Sequence, residues 1–216
     1  MKFRILLSLL VLVLAGVVIY FDGGALVTGI SMAGGLPLMS LDFDGEDNLP
    51  GIARAFLIDV DDIDTEAVPI SNPTSGIEKI TIVGSHTLAT GKYFSKLYST
   101  QGKGTASFSS EGGRDFENFA LGATLFYPCT KKESLALSTT LLGKDLIVLL
   151  EQNSDEEFFL QAGNKKLPAR LVAAGDWGTE LNGEKGITFT LSAFHGKKPF
   201  FAYEGVIPLA ADDIYS

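Results

Sequence analysis

Cysteine, histidine and tryptophan are scarce in this chain of 216 residues. It contains one cysteine, Cys129, two histidines, His86 and His195, and one tryptophan, Trp177. A single cysteine excludes an intrachain disulfide and therefore a disulfide-stapled secreted scaffold. We expect Cys129 to be a buried apolar residue rather than a nucleophile. Metal sites need several convergent ligands. The two histidines are far apart in sequence, so we predict surface histidines and no metal site.

Basic residues are also few. The chain has 17 Lys and Arg against 26 Asp and Glu, a net charge of −9. Lys2, Arg4 and Asp22 are the only charged residues among the first 38, so the remainder carries a net charge of −10. Phosphate binding needs a basic face, which argues against direct sequence-specific binding of nucleic acid. An acidic body is typical of ordinary soluble proteins, and it also suits a lumen through which DNA passes without sticking.

Long helical patterns are missing from most of the chain. Short apolar runs lie between turn signals, with 24 glycines and 15 phenylalanines, a composition that favours strands and turns. The run Leu146–Leu150 predicts a core strand, and Gly122 suggests a bulge or bend in a long strand. We predict a mainly β fold, a β-sandwich or barrel of about nine or ten strands with one short α-helix at about residues 130–142.

The helix prediction depends on a capping box. Thr130 is placed to cap the N-terminus and Glu133, three residues later, to reach back to it. Leucines then recur along one side, and Gly143 is a suitable residue to end the helix. About three turns are expected.

The first 38 residues are apolar and differ sharply from the rest of the chain. Residues Ile5 to Phe21 are almost entirely apolar, behind Lys2 and Arg4, which predicts an N-terminal helix acting as a signal anchor or a signal peptide. Translation starting near Met39 is the alternative. The predicted organisation is an apolar segment at 1–38, an acidic arm at 39–51, a β-rich domain at 52–209 and a tail at 210–216.

No pattern in the sequence indicates catalysis. The acidic stretch Asp59–Glu66 resembles a calcium loop only in part, because the central glycine and the flanking helices of an EF-hand are missing, so a solvated acidic loop is the favoured interpretation. The chain has no nucleophile elbow and no phosphate-loop spacing. We predict a non-enzymatic protein without catalytic, cofactor-binding or metal-binding residues and without a cofactor.

The order of motifs in the C-terminal half resembles a known family. Phe116-Glu117-Asn118 leads to a Leu-rich helix, then to the strand 144–151, the segments 159–163 and 168–172, and Gly186–Leu191 before a Pro-containing last strand. This order is similar to that of small tail structural proteins, tail-tube-like, of tailed phages and prophages of Bacteroidetes-type hosts. The resemblance covers Pro50 to Pro208 and is best from Phe116 onward.

The resemblance implies a structural, tail-tube-like virion component whose copies stack as rings and pair sheet edges across subunits. Its partners would be further copies of itself and other tail proteins. It would be located in the virion, or in the host cytoplasm if translation starts near Met39. The alternative prediction is a membrane-anchored or exported extracytoplasmic β-domain that binds a protein partner, located at the inner membrane or outside it through residues 5–21.

Overall fold

The computed structural model describes residues 49–154, 157–178 and 183–210. The predicted N-terminal helix, most of the acidic arm and nearly all of the tail lie outside these ranges. The described part is mainly β with one α-helix, as predicted. Helix α1 is Lys132–Leu141, and a short 3-10 turn is Val60–Asp62. The twelve strands, β1 to β12 in chain order, are Ile52–Asp59, Ile63–Thr65, Thr81–Ile82, Thr87–Leu88, Ser95–Tyr98, Thr105–Glu111, Asn118–Tyr127, Leu146–Gln152, Phe159–Ala162, Arg170–Asp176, Gly186–His195 and Phe201–Tyr203.

The strands form two main sheets. The first has six strands in the order β3-β12-β9-β8-β1-β5, and the second has four in the order β10-β11-β7-β6. All pairs are antiparallel except β12 with β3. Strands β2 and β4 form a separate short pair. The described residues contain more strands than predicted because β2 and β4, of three and two residues, lie in segments whose sequence shows no strand pattern.

One apolar cluster joins the two main sheets. The six-stranded sheet contributes Leu57 and Val148, and the four-stranded sheet contributes Leu125 and Phe189, all at most 3% exposed. Alternation along each strand aims every second side chain at this cluster. Leu141 of α1 belongs to the same cluster.

A second cluster covers the opposite face of the six-stranded sheet. It contains Phe56 and Leu149 from the sheet, together with Ile63 and Phe94 from the segments that cross it. Strand β8 is therefore buried on both faces: Leu146, Val148 and Leu150 join the first cluster, while Ile147 and Leu149 join the second. This double burial explains the unbroken apolar run in the sequence, since a strand covered on both faces has no polar side.

The predicted capping of the helix is wrong. The N-cap is Lys131, which makes no side-chain capping bond, and the Thr130 hydroxyl is buried without a hydrogen-bond partner among the described residues. The helix therefore begins at Lys132. Its end agrees better with the prediction, because Gly143 follows with a φ of +74°, a conformation that glycine adopts without steric cost.

The predicted bulge at Gly122 is also wrong. Gly122 pairs in regular register with Ser107 on one side and with Ser192 on the other. The register shift among the long strands lies instead between Ile52 and Arg54 of β1. Since Gly122 lies on the face away from the core, its missing side chain costs the core no packing.

Candidate functional site

The two histidines are not on the surface, contrary to the prediction. His86 and His195 are 3% and 2% exposed. His86 lies in the segment that covers the six-stranded sheet, and His195 ends β11. His86 stands in a polar, glycine-containing stretch with no apolar periodicity around it. His195 instead continues the alternation of β11, in which positions 187, 189, 191 and 193 are buried, so the sequence did carry a signal for its burial. The sequence offered no signal for the partners that satisfy their ring nitrogens.

A chain of buried hydrogen bonds connects the two rings through β9. The Ala67 N–H donates to Nδ1 of His86 at 3.1 Å, and His86 Nε2 lies 3.0 Å from Oε1 of Gln161. Gln161, fully buried in β9, donates to the Gly163 carbonyl at 3.2 Å. The Gly163 N–H in turn donates to Nε2 of His195 at 2.9 Å.

This arrangement fixes both imidazoles in the neutral form. Each ring accepts from a backbone N–H at one nitrogen, so its proton must be on the other: Nε2 in His86, which faces the Gln161 carbonyl oxygen, and Nδ1 in His195, 3.0 Å from the Pro199 carbonyl. Burial lowers the pKa of His86, which the bond to Gln161 partly opposes. Burial also lowers the pKa of His195, opposed by the Pro199 carbonyl and reinforced by Lys198. The network is therefore structural, since neither ring has a nitrogen available for other chemistry.

The acidic loop is held by lysines. Asp59 pairs with Lys144, and Asp62 pairs with Lys92 at 2.9 Å. Burial raises the pKa of Asp59, but the bonds from Lys144 and the Asp61 N–H outweigh it and leave the pKa lowered. In Glu66, burial raises the pKa despite a hydrogen bond from the Lys165 N–H. Among the described residues no three His, Cys, Asp or Glu side chains converge into a metal site.

Cys129 is more exposed than expected, and Trp177 lies at the surface. Cys129 is only partly buried and follows β7 at the start of the turn into α1. Trp177, directly after β10, is 61% exposed, and its ring lies beside Gly175. Neither residue joins a cluster of reactive groups in the part of the chain that the structure describes.

A pocket of about 530 Å³ lies between β5 and α1. Its walls include Leu97, Tyr127, Leu137 and Phe189, with Glu133 at the start of the helix. The walls are mainly apolar and the pocket is open to solvent. Such a pocket can accommodate an apolar side chain, but within the described residues it brings together no nucleophile and base.

The four-stranded sheet offers the longest strand edges of the described fold. Its outermost strands, β6 and β10, each have seven residues, and each pairs with another strand on one side only. Six of the seven residues in β6 and five of the seven in β10 are exposed. By contrast, β5 at one edge of the six-stranded sheet has four residues. Backbone bonds from Phe94 to Pro208 and from Thr100 to Phe126 close it at both ends.

The face of this sheet that points away from the core carries almost no charge. Its central row runs across all four strands as Thr105, Thr124, Thr190 and Val172. Most neighbouring positions are small or hydroxyl-bearing as well: Ser107, Gly122, Ser192, Ser109, Ala120, Ala174 and Thr188. The same face also carries two aromatic residues, Phe126 and the 60% exposed Phe194. Charged residues on the two outermost strands stand only at strand ends, as Glu111, Arg170 and Asp176.

No family model, curated protein or solved structure matches this chain. In the ranges that the structure covers, no helix is both long enough and apolar enough to span a bilayer.

Proposed function

We propose that this chain is a non-enzymatic structural protein that self-assembles, most closely as a tail-tube-like component of a phage virion. The single observation that carries the proposal is that two seven-residue, mostly exposed strands, β6 and β10, form the two edges of the same four-stranded sheet. Each edge presents a row of backbone donors and acceptors that no other described strand uses.

Natural monomers protect such edges. Lysines, prolines, bulges or very short strands are the usual devices, because an unprotected edge pairs with other chains. Strand β6 reads Thr-Ala-Ser-Phe-Ser-Ser-Glu, without lysine, proline or a register shift. Strand β10 carries charge only at its two ends, at Arg170 and Asp176, and is equally regular. Edges of this kind suit a protein in which assembly covers them.

Two further features support the phage part of the proposal. The order of sequence motifs from Phe116 to Pro208 resembles that of small tail structural proteins, and the described chain is mainly β with one helix between strands. An acidic chain with a sheet face that carries almost no charge would also present little attraction to DNA moving past it, since nucleic-acid affinity depends on basic groups.

Electron microscopy of the purified full-length chain tests the proposal. Its N-terminus should first be determined by intact mass, because this decides whether residues 1–38 are present. Across a concentration series in the micromolar to millimolar range, we expect rings or tubes, with light scattering giving the mass of the assembled species. A monomer at every concentration and salt level would contradict the proposal.

A second function is favoured by a different observation. The apolar run Ile5 to Phe21 behind Lys2 and Arg4 suits a membrane-anchored or exported β-domain that binds a protein partner through one of the same edges. Fractionation of cells that produce the full-length chain separates the two. Protein in the membrane or outside the cell, with no assembled species, would favour this alternative.

A further inference from the structure

We propose that β6 of one copy pairs antiparallel with β10 of a second copy, with Thr105 opposite Asp176 and Glu111 opposite Arg170. The occupant of each edge is therefore the other edge of a second identical chain. This inference rests on the proposed self-assembly and specifies the contact that would produce it.

Strand direction permits this pairing in a ring. The four strands of the sheet alternate in direction, so β6 and β10 run in opposite senses. Rotation about an axis roughly along the strands keeps each strand's direction. A rotated copy therefore brings its β6 beside β10 as an antiparallel neighbour, and the alternation continues from subunit to subunit. Such head-to-tail contacts form a ring when the rotation between neighbouring copies closes.

The two edges also match in length and in side-chain direction. Both have seven residues, so full pairing leaves no unmatched position. With Thr105 opposite Asp176, the outward residues of β6 all meet outward residues of β10. The inward Phe108 meets the inward Ala173. Phe108 is 58% exposed in the single chain, and a small residue opposite it leaves room for the ring. A shift by one residue would set outward side chains against inward ones.

Charge favours this register. Glu111 is the only charged residue of β6, and it meets Arg170, the only basic residue of β10. Arg170 already donates through Nε to Asp145 at 3.1 Å, and a guanidinium has further N–H groups for a second carboxylate. Pairing β6 with β6 would give Glu111 no basic partner. Pairing β10 with β10 would place Arg170 of one copy opposite Asp176 of the other, but it would leave β6 of both copies without a partner strand.

The register also produces the stagger of a closed barrel. Within one copy, Thr105 lies in the same row as Val172. In the proposed contact, Val172 lies opposite Ser109 of the next copy. Each copy of four strands thus shifts the pairing by four residues, one residue per strand. A barrel of eight strands with shear 8 has the same ratio, with strands tilted by about 36°.

Engineered disulfides test the register in the full-length chain with Cys129→Ser as background. Ser109→Cys combined with Val172→Cys should crosslink between copies under mild oxidation, because directly opposed residues lie within disulfide range. Thr105→Cys combined with Val172→Cys is the matched control. These two positions would be opposite each other only if neighbouring copies paired without the shift of four residues. Within one chain each pair is separated by two intervening strands, so any disulfide joins two copies.

The outcomes separate the two proposals. A ladder of covalent oligomers from the first pair, with little from the control, supports the register. The register would be overturned if only the control pair Thr105→Cys and Val172→Cys crosslinked, or if the single variant Ser109→Cys crosslinked by itself. Wild-type chains that do not assemble would instead overturn the proposed function. Assembled rings in which neither pair crosslinks would overturn only the β6–β10 contact.

A charge exchange gives a second, independent readout. Glu111→Arg and Arg170→Glu should each lose rings or tubes, because like charges would then face each other across the contact. The double variant should recover them, although Arg170→Glu also removes the bond to Asp145. Folding is checked by circular dichroism for every variant. Assembly that survives both single exchanges, or that the double variant does not restore, would overturn the proposed register.

Discussion

The imidazole of His86 stacks on the ring of Tyr203, with centroids 4.9 Å apart and planes 6° from parallel. The contact joins β12 to the segment between β3 and β4, which contains His86. The backbone N–H of His86 also donates to the Tyr203 hydroxyl at 3.2 Å. Together with the bonds through Gln161, it ties the layer over the six-stranded sheet to the sheet itself. This layer has little regular structure, so its buried polar bonds determine how it is held.

The stability of the fold should decrease as the pH falls from about 7 to about 5. Both imidazoles have a pKa below the ordinary value, which is about 6.5 in the unfolded chain. The unfolded state therefore binds protons first as the pH falls, and the free energy of unfolding declines through this range. Urea unfolding at a series of pH values measures the decline.

A direct titration tests the cause of that decline. NMR of the folded chain should show both imidazoles titrating below their ordinary pKa, starting from the neutral form. Asp59 contributes little to the change between pH 7 and pH 5. Its pKa is lowered in the folded chain, so the stability that it contributes is lost only below about pH 4. Imidazoles that titrate at or above a pKa of about 6.5 would show that burial does not suppress their protonation and would contradict the prediction.

Gln161→Leu should destabilise the fold although leucine is similar in size. The substitution leaves the His86 Nε2–H and the Gly163 carbonyl without their partner, and each buried group left unsatisfied costs about 1–3 kcal/mol. Thermal and urea unfolding measure the loss. Gln101→Leu, at an exposed turn residue, is the matched control and should change stability by less than about 0.5 kcal/mol. Equal effects of the two substitutions would contradict a structural role for Gln161.

The strands that the sequence predicted best are those with strong apolar patterns. Strand β8 was recognisable because it is buried on both faces, and β11 because it alternates regularly between buried and outward residues. The short strands β2 and β4 were not predictable in this way. They have three and two residues and pair only with each other across more than 20 positions, which leaves no local periodicity.

The buried polar residues show the other limit of prediction. His86 is buried because Ala67, Gln161 and Tyr203 satisfy and cover it, and these residues are between 19 and 117 positions away. Thr130 has a sequence suited to helix capping, but Lys131 takes the N-cap position and the Thr130 hydroxyl makes no bond within the described residues. In both cases tertiary contacts override a local preference. The edges β6 and β10 were unpredictable for the same reason, since strand order is a long-range property.

Truncations in β8 should be costly on both of its faces. Leu150 belongs to the cluster between the sheets and Leu149 to the cluster on the opposite face, and both are fully buried. Each Leu→Ala substitution should lower the free energy of unfolding by about 2–5 kcal/mol. Leu142→Ala is the matched control, because Leu142 is 77% exposed, and should be nearly neutral. A small loss of stability for Leu149→Ala, with a large loss for Leu150→Ala, would mean that the second cluster does not exclude water from its face of the six-stranded sheet.

Gly104→Ala should disturb the junction between the two main sheets. The Ile52 N–H donates to the Gly104 carbonyl at 3.1 Å, where the start of β1 meets the chain entering β6. A Cβ at position 104 would lie 2.2 Å from the Ile52 carbonyl oxygen and 2.9 Å from the Ser99 hydroxyl, so the backbone must move. We expect the free energy of unfolding to decrease by about 1–3 kcal/mol, as for other overpacked sites, measured by urea unfolding.

Gly113→Ala is the matched control, because the added carbon meets nothing within 4 Å. It should be neutral or slightly stabilising. If the two substitutions behaved alike, the close approach of β1 to Gly104 would be disproved.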